Sequence, residues 1–196
     1  MIKNPGNTVT QFIHGKRKTY RSPISYFLIW IAIYILLLYS IEKLFGENVV
    51  INYREYFGPA SATKFAISHL SLVLVFVIPF QALYLYLLVT RHEYNYIETL
   101  VATIFCLGTI ILFQFFFAIV ALIIYGITAS AIDLRISDIL KILYLGWFIT
   151  HFIKPFHVTH PWLRIVAFVV LAFGTFSIWR LYGFPWLMEI INGQNH

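Results

Sequence analysis

From Thr99 to Ile132 the chain runs without a single formal charge. As one straight helix rising about 1.5 Å per residue, that run would outreach a hydrocarbon core of roughly 30 Å. The span it forms is therefore expected to begin near Tyr96 and end near Tyr125-Gly126, leaving Thr128 to Arg135 as a loop. Across the 196 residues only 11% are charged, 60% are apolar and 19% are aromatic. The mean hydropathy is +0.80. No water-soluble domain of this size stays dispersed with such values, so the class is an integral membrane protein. The predicted fold is all-α, a polytopic transmembrane helix bundle of about five spans with a short N-terminal interfacial helix.

The first boundary is written in Gly15-Lys16-Arg17-Lys18-Thr19-Tyr20-Arg21-Ser22-Pro23, which passes directly into the apolar Ile24 to Tyr39. Cations that cannot enter hydrocarbon are followed by a proline suited to a helix's first turn and then by a helix that can enter it. Before this junction, Asn7 to Ile13 places Val9, Phe12 and Ile13 on one side of two helical turns with Gly15 as terminator. A short interfacial helix and a solvated, frayed tail are both open for this stretch. No small-residue cleavage pattern follows the first apolar run, so it reads as a retained anchor.

Span 1 covers Ile24 to Tyr39, with an extension to Phe45 within reach. Turn-forming residues then fill Glu47 to Thr63. Span 2, Phe65 to Thr90, exceeds a perpendicular crossing and carries Pro79 as its kink. The link Arg91-His92-Glu93-Tyr94-Asn95 is short enough to make spans 2 and 3 an antiparallel hairpin. Lys141 and Lys154 bracket the short apolar stretch Ile142–Ile153 of span 4, with Ser137 as N-cap, and span 5 runs from Arg164 to Arg180. The domain organisation is then a cytoplasmic basic tail and interfacial helix (1–23), a transmembrane helical domain (24–191) and a polar tail (192–196). With the N-terminus inside, the inner face holds eight of the 14 Lys and Arg residues. Five of them precede span 1, where the bias counts most. That gives an inner-membrane protein with a cytoplasmic N-terminus, five crossings and an external C-terminus; a re-entrant hairpin of spans 4 and 5 would leave the same C-terminal side.

Asn4-Pro5-Gly6, Phe12-Ile13-His14-Gly15-Lys16-Arg17-Lys18-Thr19-Tyr20 and Ser22-Pro23-Ile24-Ser25-Tyr26-Phe27 resemble the leading signature of a bacterial multi-pass membrane family of unknown function. Tyr94-Asn95-Tyr96-Ile97-Glu98-Thr99-Leu100-Val101 is similar to that family's tyrosine-glutamate turn at the head of its third span. Members of the family often begin with a cysteine-rich zinc ribbon, which this sequence lacks. The resemblance implies architecture and assigns no reaction.

Glu98, one turn inside span 3, has two readings: a proton relay or cation ligand at membrane depth, or an interfacial carboxylate held by the helix dipole and paired with Arg91 or His92. His69, Gln81 and Gln114 line a polar seam between spans 2 and 3 in one reading and simply join helix to helix in the other. His151, His157 and His160 cluster near the break between spans 4 and 5. Pro155 and Pro161 interrupt any helix there and no Cys or carboxylate completes a tetrahedral set, so no metal and no cofactor is predicted. The single Cys106 excludes an internal disulfide. No catalytic motif of a metalloprotease, serine hydrolase or phosphate-binding loop is present, so an enzyme is not expected. Lys16, Arg17, Lys18 and Arg21 are the expected contact for anionic lipid head groups or a membrane-complex partner, including a second copy; nucleic acid is disfavoured. Three function classes remain: a non-enzymatic membrane protein acting through protein or lipid contacts, a small channel, carrier or lipid-translocating subunit, and an accessory or effector of a host-defence locus.

Overall fold

The computed structural model describes residues 5–13, 15, 22–45, 70–128, 135–153, 160–178, 182, 183 and 186, and among them no strand occurs. The elements are α1 (Pro5–Ile13), α2 (Pro23–Phe45), α3 (Leu70–Leu85) running on into a π-helical turn (Tyr86–Thr90), α4 (Tyr96–Thr128), α5 (Arg135–Ile153) and α6 (Pro161–Ile178). Proline opens α1, α2 and α6, where its missing N–H removes one of the donors that a first turn leaves unsatisfied. Gly15 ends the first helical unit at φ 100°, and its N–H reaches back to the Phe12 carbonyl at 3.2 Å. A side chain is rarely tolerated in that conformation, which is why glycine stands there.

From α2 to α6, helices consecutive in the chain alternate in direction. α3 and α4 form the expected hairpin, closed by a 2.7 Å hydrogen bond between the Thr90 and Thr99 hydroxyls. α2 runs parallel to α4: the Tyr26 ring meets Phe105 at 6.0 Å and Trp30 meets Phe115 at 6.0 Å. Gly108 makes that approach possible, because a Cβ there would lie 2.9 Å from the Tyr26 ring. α5 descends antiparallel along α4, with Phe113 against Tyr144 at 5.1 Å and Tyr94 stacked on Phe152 at 5.5 Å. α6 is tied to the α3 arm at two heights, by Arg164 to the Leu88 carbonyl at 2.9 Å and by Thr175 to the Tyr84 hydroxyl at 3.1 Å.

α1 does form, and its apolar side is turned onto the bundle. Val9 is wholly buried and belongs to a core cluster that also holds residues of α3, α4, α5 and α6. Phe12 meets Phe105 edge-on at 5.4 Å.

Three boundaries differ from the sequence reading, one of them the start of α6 at Pro161 rather than Arg164. α4 continues to Thr128, a little beyond the expected stop, since Gly126 is exposed with nothing near it. α5 begins at Arg135, so Ser137 lies inside its first turn rather than capping it. Ser137, Tyr144, Leu145, Phe148 and Phe152 are all buried, a spacing that follows one face of a helix and extends that face back to Ser137. His69 and the other first residues of span 2, together with the stretch Glu47–Thr63 expected as a loop, fall outside the described residues.

α2 and α4 are long and apolar enough to cross a membrane, with 28% and 17% respectively of their most apolar stretches buried inside the protein. Their outward residues are large and aliphatic or aromatic: Leu28, Leu36, Phe116, Val120, Ile123 and Ile127 are all exposed. The interior is also mostly aliphatic and aromatic, and among those side chains it holds Thr90, Thr99, Thr103 and Thr109, each nearly or wholly buried.

Candidate functional site

Among the described residues, polar side chains gather at two places, the hairpin end of the bundle and a cleft between α4 and α5. At the hairpin end Asn95 and Glu98 form a reciprocal cap on α4. The Glu98 N–H donates to Asn95 Oδ1 at 2.9 Å, and the Asn95 N–H donates to Glu98 Oε2 at 3.0 Å. This is the capping-box arrangement, with Asn in place of Ser or Thr. Arg91, a residue the sequence reading offered as partner for Glu98, turns its Nε to His92 Nε2 at 3.0 Å. If the cap is what Glu98 provides, Glu98→Gln should keep stability within about 0.5 kcal/mol, since Gln serves equally at that position. Glu98→Ala should lose about 1 kcal/mol. Detergent-unfolding midpoints of the two variants check this, and equal losses would assign the effect to the charge.

Beneath the cap a file of hydroxyls runs inward along α4. Thr99 donates to the Asn95 carbonyl at 3.1 Å and so accepts from Thr90. Thr103 donates to the Thr99 carbonyl at 2.9 Å, and Thr109 to the Phe105 carbonyl at 3.0 Å. The Tyr26 hydroxyl then reaches Thr109 Oγ1 at 3.2 Å from α2. The pKa of Tyr94, in the hairpin link, is pushed above its ordinary value of 10.0 chiefly by burial; the Thr10 side chain of α1 opposes this, and Glu98 and Glu93 add to the rise. Its neutral ring therefore joins α1 to the hairpin.

The π-turn exposes carbonyls that a regular helix would use, and this is where Arg164 docks. Arg91 N–H bonds to the Tyr86 carbonyl at 2.9 Å, five residues back, and the Leu88 carbonyl accepts from the half-buried Arg164. The sequence reading had Arg164 only as a flank of span 5. Its contact with a main-chain carbonyl 76 residues away in sequence leaves no trace in local pattern.

Gln114 lies in the second place. It lines a cleft of about 20 Å³, room for one water, together with Ile110, Phe113, Phe117, Ser137, Leu140 and Lys141. The lining includes neither Gln81, half-buried on α3, nor Glu98, which is 16 residues away along α4 and therefore about 24 Å distant. At the cleft Lys141 Nζ meets Asp138 Oδ1 at 2.7 Å, with side chains 17% and 22% exposed. Asp138 and Lys141 stand three apart, the spacing of a helical ion pair. That was the available signal, hidden because Lys141 reads equally well as a cation reaching for the head groups.

Lys16, Arg17, Lys18 and Arg21 lie outside the described residues, as does His157. Among the described residues no three His, Cys, Asp or Glu side chains gather as a metal would require. His151 engages the Trp147 carbonyl at 3.0 Å. Cys106 is buried.

A family model described as "Protein of unknown function (DUF3667)" matches residues 1–35, out of 196. The match takes in α1, Gly15 and the first half of α2, the same stretch whose residues carry the family resemblance. It does not reach the turn at Tyr94–Val101, and it has no bearing on a zinc ribbon. No curated protein and no solved structure matches the chain.

Proposed function

We propose that the chain is a multi-pass protein of the bacterial inner membrane, its N-terminus cytoplasmic, that works through contacts with anionic lipid and partner proteins and catalyses no reaction. The observation that supports this reading is the direction of the side chains. Isoleucine, leucine and phenylalanine point outward along α2 and α4, and the inward side of α4 carries threonine hydroxyls alongside apolar side chains. Water as the surrounding solvent would penalise an apolar patch of that extent. Lipid tails are as apolar as leucine, so small residues and hydroxyls help helices associate in a bilayer, and α4 turns Thr99, Ala102, Thr103, Cys106, Gly108 and Thr109 inward.

Under this reading α2, α3, α4, α5 and α6 cross in alternate directions. The hairpin link, the end of α5 and the start of α6 then share the cytoplasmic side with the basic Lys16–Arg21 segment. The test has two parts. Membranes washed in alkaline carbonate should retain the protein, and alkaline phosphatase fused after Thr128 should be active while the same enzyme fused after His92 is inactive. Release by carbonate, or the reverse reporter pattern, would overturn the reading. Changing Lys16, Arg17, Lys18 and Arg21 together to Gln should lower co-purification of partner or anionic lipid severalfold, and unchanged recovery of both would remove the contact assigned to this segment.

A further inference from the structure

The α4–α5 cleft combines an ion pair, an amide and a hydroxyl with a surround of aliphatic side chains. Asp138 and Lys141 are partly exposed, and Gln114 and Ser137 stand with Lys141 in the lining. On the same helix Ile139, Leu140, Ile142 and Leu143 are all exposed. A soluble metabolite would satisfy the polar cluster and leave those four side chains bare. An acyl chain would cover the four and leave the ion pair in hydrocarbon, where charge is costly.

We propose that this cleft seats the head group of a zwitterionic phospholipid, one with a phosphodiester and a primary ammonium, whose acyl chains lie along the outward face of α5. The inference rests on the membrane reading above. Charge complementarity selects the class: phosphodiester oxygens accept from the Lys141 ammonium and the Gln114 amide, and the lipid ammonium donates to the Asp138 carboxylate. The cleft itself holds only about one water, so the head group sits at its mouth. An anionic lipid offers oxygen for Lys141 but leaves Asp138 facing a like charge, and a choline head group cannot donate an N–H to the carboxylate.

The test is lipid retention by the full-length protein, purified from mixed micelles of phosphatidylethanolamine and phosphatidylglycerol and weighed by native mass spectrometry. The wild type should carry one phosphatidylethanolamine more than the Asp138→Leu/Lys141→Leu double variant, which removes both charges at once and keeps a helix-forming, lipid-compatible surface. Asp138→Asn should shift the retained ratio at least fivefold toward phosphatidylglycerol. Soluble glycerophosphoethanolamine, which lacks acyl chains, should not displace the bound lipid. Equal retention by wild type and double variant, an unchanged ratio in Asp138→Asn, or displacement by the soluble head group would each overturn the proposal. A protein that stays in carbonate-washed membranes and shows no such preference would fail this inference alone; release by carbonate would fail the reading beneath it.

Discussion

Gly6→Val is expected to lift α1 from the bundle and to lower stability by at least about 3 kcal/mol, the upper end of the cost of overpacking a close interface. A Cβ at Gly6 would lie 2.5 Å from the carbonyl carbon of His151 and from the nitrogen of Phe152. Both are main-chain atoms inside α5, so neither can swing aside as a long side chain would. The strain is relieved only by moving the whole helix, and that withdraws Val9 from the core, Phe12 from Phe105 and Thr10 from Tyr94. Two measurements check it: the midpoint of unfolding in mixed detergent, and the rate at which trypsin cuts at Lys16–Lys18, which should rise severalfold. Gly126→Ala is the matched control. Nothing lies within 4 Å of that position, and trading glycine for alanine inside a helix should gain up to about 1 kcal/mol. A Gly6→Val protein as stable and as protease-resistant as the wild type would remove the seat assigned to α1.

Phe152→Ala should cost about 3–5 kcal/mol, the range for deleting a buried aromatic and leaving a cavity. Phe152 has no exposed surface and is stacked between Tyr94 at 5.5 Å and Phe148 at 5.8 Å. The ring therefore joins the hairpin link to the end of α5, and its loss is felt on both sides. Leu143→Ala, on the outward face of the same helix at 64% exposure, should change the midpoint by less than about 0.5 kcal/mol. Comparable losses from the two substitutions would mean that the face of α5 turned inward had been misassigned.

The sequence announced the helices more clearly than the way they face. α4 was legible because an uncharged run of that length has few other fates, and α1 because Val9, Phe12 and Ile13 recur on one side ahead of a glycine. The hairpin followed from the shortness of Arg91–Asn95. Rotation was harder to read, because a helix that is apolar all round carries no phase in its hydrophobicity. In α4 the buried side carries small residues, Thr99, Ala102, Thr103, Cys106, Gly108 and Thr109, mixed with Phe105, Ile111 and Leu112, which look no different in sequence from the outward ones. Gln114 is thus visible as a polar residue at depth, but nothing local says that it faces α5 rather than α3. Gly6 belongs to the same class: a glycine next to a proline at a helix start reads as turn chemistry, and its role as a seat against another backbone exists only once α5 is in place. The reciprocal cap of Asn95 and Glu98 could have been read from their spacing of three, had the carboxylate not drawn notice first as a charge near a membrane.

The pairing of α5 with α4 sets two rims at different heights. Ser137 and Lys141 lie level with Gln114 and Phe117, yet α4 continues for 14 residues beyond Gln114, about 21 Å of rise, and α2 rises beside it with Leu38 and Ile41 buried near its upper end. A flat bilayer of uniform thickness cannot be flush with both. If lipid matches the tall pair, the Asp138–Lys141 contact sits below the head-group plane; if it matches the short helix, the isoleucines at the top of α4 stand clear of it. Under the membrane reading proposed above, each ångström of disagreement would cost a fraction of a kcal/mol, and the leaflet is expected to slope from one side of the protein to the other.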